Sequence, residues 1–219
     1  DAATYLPLRA ITRQQEMTMN ATMPKTLLQL RGIGIPPARL SDAALIIIDA
    51  QGEYRVGRMK LDGIDSALAR LAALLARARA AGTPILHVAQ VGQQGTLFDP
   101  TTAYGEIVSE AAPAAGEPVV MKRLPNAFAG TELHERLQQT GRRSLILAGF
   151  MTHMCISASA RAALDLGYQA TVVADATATR ALPAHDGGAS IPAGIVHDTA
   201  LAELADRFAA VAASGDIAA

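Results

Sequence analysis

Ser144-Leu145-Ile146-Leu147-Ala148-Gly149-Phe150-Met151-Thr152-His153-Met154-Cys155 joins two different kinds of pattern. Its first five residues form a short apolar run, as expected of a strand buried on both faces. Beyond Cys155, Ile156 to Gly167 (ISASARAALDLG) is rich in Ala and ends in Gly, which predicts a helix stopped at that glycine. The one cysteine of the 219-residue chain therefore stands at a strand-to-helix turn. The first N–H groups of a helix are unpaired and its dipole favours a thiolate, so Cys155 is a candidate nucleophile. The competing reading is an inert core thiol, the usual fate of a free cysteine in an apolar chain.

Working outward, the same alternation repeats. Ala44-Leu45-Ile46-Ile47-Ile48 is an apolar run ending at Asp49, and Ile64 to Ala81 has the spacing of a long amphipathic helix, with Leu68, Leu71, Leu74 and Leu75 on one side. Pro84 to Ala89 reads as a second strand, and Pro118-Val119-Val120-Met121 as a third, ending at Lys122. Thr131 to Thr140 reads as a helix with Thr at its cap. Ala170 to Ala174 reads as a strand, Ile195–Phe208 as a last helix, and Phe208 to Ala212 as an edge strand. Gln90 to about Pro118 is a long irregular stretch, and loops of that length inside compact domains tend to be functional. The predicted fold is α/β: a three-layer αβα sandwich around a mostly parallel sheet of about six strands, covered on both faces by right-handed crossovers. The domain is expected over residues 41–215, preceded by an arm over 1–40 that packs either on the domain or on a neighbouring subunit. Met17, Met19 and Met23 are each possible natural starts, and the segment before Met17 reads as foreign to the domain.

Half of the residues are apolar and the net charge is −1, with acids and bases scattered, so nothing suggests a nucleic-acid or membrane-surface footprint. No stretch approaches the roughly 18 to 20 apolar residues of a membrane span. A single Cys cannot form an internal disulfide, and the first 20 residues lack the pattern of a secretory signal. The expectation is a cytoplasmic protein acting on a small molecule, with no nucleic-acid or membrane partner.

In open α/β sheets ligands bind outside the carboxyl ends of the strands. Asp49, Lys122 and the Cys155 turn all follow carboxyl ends, which puts three reactive side chains on one rim. Desolvation favours the neutral form of Asp49, and a cation such as Lys122 restores its charge. Together they could take the thiol proton and leave a thiolate beside an ammonium. Alternatively Asp49 caps a turn and Lys122 is an ordinary surface residue.

Asp49-Ala50-Gln51, Lys122 within Val119-Val120-Met121-Lys122-Arg123, and Gly149 to Cys155 followed by Ala160-Arg161-Ala162-Ala163 and Leu166-Gly167-Tyr168 resemble, in order, motifs of the isochorismatase-like cysteine hydrolases. The resemblance runs from about Ala43 to Ala212. The superfamily includes nicotinamidases, N-carbamoylsarcosine, biuret and ureidoacrylate amidohydrolases and streptothricin hydrolase. It implies a Rossmann-like sheet, Cys155 as nucleophile, Asp49 as general base and acid, and Lys122 as their electrostatic partner. It also implies a non-proline cis peptide at Phe150–Met151, which turns the Met151 N–H beside the Cys155 N–H to form an oxyanion hole. The implied reaction is cleavage of a non-peptide C–N bond in a small amide, imide, ureido compound or lactam, through a Cys155 thioester. Homodimers or homotetramers are common among such proteins.

One departure bears on the substrate. Nicotinamidases carry metal-ligating Asp and His shortly after the catalytic Asp, whereas Gln51 to Lys60 contains no His. A zinc or iron site needs two or three such ligands close together. No metal and no cofactor are therefore expected, and His87, within an apolar strand, reads as a satisfied interior histidine. His134 reads as solvated, His185 as a loop residue and His197 as structural. Substrate-binding candidates on the rim are Gln51 and Tyr54 after the first strand, Phe98 in the long loop, Phe128 after Lys122, and His153, with packing as the competing reading for Phe128. Gly95-Thr96-Leu97-Phe98 is a candidate lid.

Two other classes compete. Isochorismatases proper cleave a vinyl ether and generally lack the nucleophilic Cys. A non-catalytic thiol-based binding or redox protein is the third reading, weakened by the absence of a resolving Cys.

Overall fold

A computed structural model describes residues 23–219, so the readings placed on Met17, Met19 and the segment before them lie outside the described residues. The order along the chain is α1 (Leu27–Leu30), β1 (Ala43–Ile48), α2 (Glu53–Val56), α3 (Ile64–Ala80), β2 (Ile85–Gln90), β3 (Val119–Lys122), α4 (Leu133–Thr140), β4 (Ser144–Phe150), a π turn (Thr152–Ile156), α5 (Ser157–Asp165), β5 (Gln169–Ala178), α6 (Ala193–Arg207) and β6 (Ala209–Ala212). The six strands form one sheet in the order β3-β2-β1-β4-β5-β6, and every pair is parallel.

All six residues of β1 are buried because the strand has helices on both faces. Successive side chains alternate between them. Leu45 and Ile47 join the core under α3, with Leu68, Leu71, Leu74 and Leu75. Ala44, Ile46 and Ile48 join the core under α4, α5 and α6, with Leu137, Ala160 and Leu204. The chain runs outward from β1 to β2 and β3, then returns to lay β4 on the other side of β1. The β1/β4 crevice is thus the topological switch point of the sheet, the place where such folds leave an opening above the strand ends.

Strand and helix limits differ from the expected ones in informative places. β4 runs to Phe150 and β5 to Ala178, past a register shift between Leu147 and Gly149. Lys122 is the last residue of β3 rather than the first beyond it. Residues 91–118 carry no crossover helix, only a 3-10 turn at Ser109–Ala111, and they fold back on the end of β1 through a bridge between Gln51 and Ile107. Among the described residues, the segment before β1 lies on its own domain: Leu27 N–H donates to Asp206 on α6 (2.7 Å), and Ala38 N–H to Thr171 on β5 (2.9 Å).

His87, 1 % exposed on β2, meets Glu117 through Nε2 at 2.9 Å, as a satisfied interior histidine should, although its Nδ1 has no partner. Glu117 also takes two N–H groups of Arg79 (2.8 Å each), and these hold its carboxyl down at about 2. A carboxyl held below its ordinary 4.5 stabilises the fold above that pH, and the contribution is lost as pH falls toward about 2. Glu117→Gln is therefore expected to cost about 2 to 3 kcal/mol at neutral pH. In denaturant unfolding the deficit should shrink steadily on acidification.

Candidate active site

β1 ends at Ile48, and Asp49 then takes a left-handed backbone (φ 53°), rare for a residue with a side chain. The turn is closed by Gln51 N–H on the Asp49 carbonyl at 2.8 Å. Strained backbone of this kind persists where the surroundings over-determine it, and here it turns a carboxylate inward above the strand end. Asp49 is 0 % exposed and Lys122 1 %. Their separation, Lys122 Nζ to Asp49 Oδ2, is 2.7 Å, and the same ammonium donates to Cys155 Sγ at 3.4 Å. The reading of Lys122 as a surface residue and of Asp49 as a simple cap is thereby excluded.

The thiol is carried by the π turn rather than by the first turn of a regular α-helix. The Met151 carbonyl accepts the N–H groups of Met154 (3.1 Å) and Ile156 (3.2 Å), three and five residues on, so the turn around Cys155 is wider than α-helical. The Phe150–Met151 peptide is cis, at the position the resemblance implied. Thr152, fully buried, is held by His197 of α6 through Oγ1···Nδ1 at 2.9 Å, so His197 is a structural brace.

The ionisation of the cluster differs from the sequence reading. Burial raises the Asp49 carboxyl, and Lys122 opposes that rise. Burial together with the Asp49 charge pushes the Cys155 thiol up to about 12, against the lowering by Lys122. Burial thus opposes the thiolate that the helix-end argument favours. The helix-end argument counted the dipole and left out a 5 % exposed sulfur beside a carboxylate. Cavities of about 500 Å³ between Arg79 and Arg136 and about 390 Å³ between Asp62 and His197 lie elsewhere.

The other rim candidates divide. Gln51 is buried, and its carboxamide is spent on main chain: Nε2 donates to the carbonyls of Gln90 (2.9 Å) and Gly105 (2.8 Å), and Oε1 accepts Gln90 N–H (2.9 Å). It is a brace between the strand ends, which corrects its placement as a substrate contact. Tyr54 is 2 % exposed and packs edge-on against Phe98 and Phe150, with ring centroids 5.2 and 6.0 Å away. Its hydroxyl is raised by burial and by the Asp49 charge. Phe98 is core rather than a mobile lid. Phe128 is half-buried and stacks on Tyr168 at 6.1 Å. Half-buried His153 bonds Thr179 through Nδ1, while its Nε2 is buried without a partner. His134 is not freely solvated, because its Nδ1 meets the Tyr168 hydroxyl at 3.1 Å. His185 is an exposed loop residue.

Sequence reasoning missed Gln90. It ends β2, between β1 and β3 in the sheet, and its Oε1 accepts a hydrogen bond from Lys122 Nζ at 2.6 Å. The strand-end rule that singled out Asp49 and Lys122 would have found it, had β2 been extended by one residue.

A doubly wound parallel sheet with a buried Asp–Lys–Cys cluster above its switch point belongs to the α/β enzymes whose chemistry is built at strand ends. Residues 43–216 match the family model described as the isochorismatase domain, and the chain belongs to this family of hydrolases. It is 47% identical to an isochorismatase of known structure from Pseudomonas putida KT2440, with TM-score 0.86, covering 89% of this chain and 100% of the other. A secreted isochorismatase effector, Isc1, of Verticillium dahliae is 38% identical over 188 residues, 84% of this chain and 96% of that protein. A maleamate amidohydrolase of Pseudomonas putida is 31% identical over 163 residues, 65% of this chain and 75% of that protein. Among the described residues no group of three or more His, Cys, Asp or Glu is arranged to hold a metal ion, and no helix is long and apolar enough to cross a membrane.

Proposed function

We propose that this chain hydrolyses a non-peptide C–N bond in a small amide, imide, ureido compound or lactam, through a thioester on Cys155. The observation that carries the reading is the contact of one buried ammonium with both the Asp49 carboxylate (2.7 Å) and the Cys155 sulfur (3.4 Å). A thiol held near 12 is no standing nucleophile, so its proton moves to Asp49 as Sγ attacks the substrate carbonyl and the C–S bond forms. The oxyanion takes the N–H groups of Met151 and Cys155. Collapse of the adduct breaks the C–N bond, and the Asp49 proton leaves with the nitrogen. Water then attacks the thioester and gives a proton to Asp49. The C–S bond breaks, and the thiol regains its proton from Asp49. Lys122 balances the charge that Asp49 gains and loses.

The relative named an amidohydrolase supports the C–N reading, and the two named isochorismatase favour a second one, hydrolysis of a vinyl ether. A vinyl ether offers no carbonyl for Sγ, so Cys155→Ala separates the two. Ammonia or amine release from an amide panel, lost in Cys155→Ala, supports the first. Isochorismate turnover that survives the substitution supports the second. The scheme uses no cofactor, and amide hydrolysis is expected to survive dialysis against a chelator. The base must be ionised, and burial raises the Asp49 carboxyl. The acidic limb of the kcat/KM profile is therefore expected above the ordinary carboxylate range, with activity falling as pH drops through it. We further propose a homodimer or homotetramer, read by light scattering. We place the protein in the cytoplasm because of its lone thiol, against the export implied by the Verticillium relative's name; cell fractionation tests this.

A further inference from the structure

We infer that Gln90 is a positioning residue of this centre, holding the Lys122 ammonium between Asp49 and Cys155. The inference rests on reading Cys155 as the nucleophile. An ammonium has three N–H donors and no acceptor. In Lys122 they face Asp49 Oδ2 at 2.7 Å, Gln90 Oε1 at 2.6 Å and Cys155 Sγ at 3.4 Å. With three acceptors in place, the head group cannot rotate without giving one up. Because Lys122 only donates, Gln90 must present its oxygen, which fixes the orientation of the carboxamide.

Gln90 can do this because it is itself held. Its residue partner across the β2/β3 ladder is Lys122. Its N–H and carbonyl are both bound by the Gln51 side chain at 2.9 Å. Gln51, Gln90 and Lys122 thus form a chain of contacts running from the turn after β1 to the thiol. Without the Gln90 oxygen, a buried N–H of Lys122 loses its acceptor, and the ammonium settles away from the sulfur. The attraction that opposes the high pKa of Cys155 then weakens.

The test is alkylation of the folded protein by iodoacetamide at several pH values, read by intact mass. The chain holds one cysteine, so the adduct reports Cys155 alone. Gln90→Met keeps the length of the side chain and removes the acceptor. It is expected to slow alkylation about tenfold at each pH, equal to one unit in the thiol pKa, with an unchanged thermal melt. In a Lys122→Met background the same substitution should add nothing, since Gln90 acts through Lys122. Equal slowing in both backgrounds, or no slowing in the first, overturns the inference. Should Lys122→Met fail to fold, the Gln90→Met rate decides: tenfold slowing with an intact melt supports the inference, and a wild-type rate overturns it. With a substrate in hand, kcat should fall while KM holds; a raised KM at full kcat would make Gln90 a substrate contact instead. Alkylation needs no turnover, so failure of every amide substrate would sink the proposed reaction without touching this result.

Discussion

Cys155→Ala is expected to lower turnover of an amide substrate by about four orders of magnitude or more, the scale seen when a covalent nucleophile is removed. The fold should survive. The sulfur is one small atom in a cluster whose other members, Asp49 and Lys122, are bound to each other at 2.7 Å. Removing it leaves the ion pair intact and takes away one acceptor of the Lys122 ammonium. A thermal melt within a few degrees of wild type, alongside the lost activity, would separate chemistry from structure. Activity retained near the wild-type level would eliminate Cys155 as the nucleophile and, with it, the thioester route.

Gly149→Ala should have the largest effect on stability. Gly149 lies directly opposite Ile48 in the β1/β4 ladder, with φ at +113°, and a Cβ there would stand 2.0 Å from the Ile48 carbonyl oxygen. The obstacle is backbone in the centre of the sheet, so neither strand can give way without moving the residues that follow it, Asp49 on one side and Phe150 and Met151 on the other. We expect a loss of about 3 kcal/mol or more, from the sum of overpacking and a disallowed backbone. Gly141→Ala is the control. Its φ is +70° at the end of α4, but no atom lies within 4 Å of the added Cβ, so only the backbone cost of about 1 kcal/mol applies. Chemical denaturation of the two variants should show this difference. Equal losses would mean that the strand ends adapt more freely than the ladder geometry allows.

The parts of this molecule that could be read in sequence are those with a short-range cause. The apolar runs at 44–48 and 144–148 mark buried parallel strands because a strand covered on both faces has no polar side. Asp49, Lys122 and Cys155 came together because each lies at or beyond the carboxyl end of an apolar run, and the strand-end rule places them on one rim. Gln90 escaped because it resembles the polar loop that follows it, although its backbone still pairs with Lys122. Gln51 and Tyr54 were correctly placed near the rim, but which way a side chain turns there depends on the loop around Gly105 and on Phe98, over 40 residues away. The burial that opposes ionisation of Cys155 was missed for the same reason. The dipole of a helix is a local property, whereas the burial of a sulfur against Asp49 depends on strands from distant parts of the chain.

That dependence has a consequence for how the protein acquires its activity. β1, β2 and β3 form one half of the sheet, and β4, β5 and β6, later in the chain, form the other; the seam between them pairs Ala43 with Ser144. The carboxylate and the ammonium belong to one half and the thiol to the other. Long-range parallel pairing is slow to form. Each half can thus gain helices and local strand pairs while the chain still has no catalytic centre. Shielding of the thiol from alkylation during refolding would then time the closing of this seam, an event that the recovery of helical signal should precede.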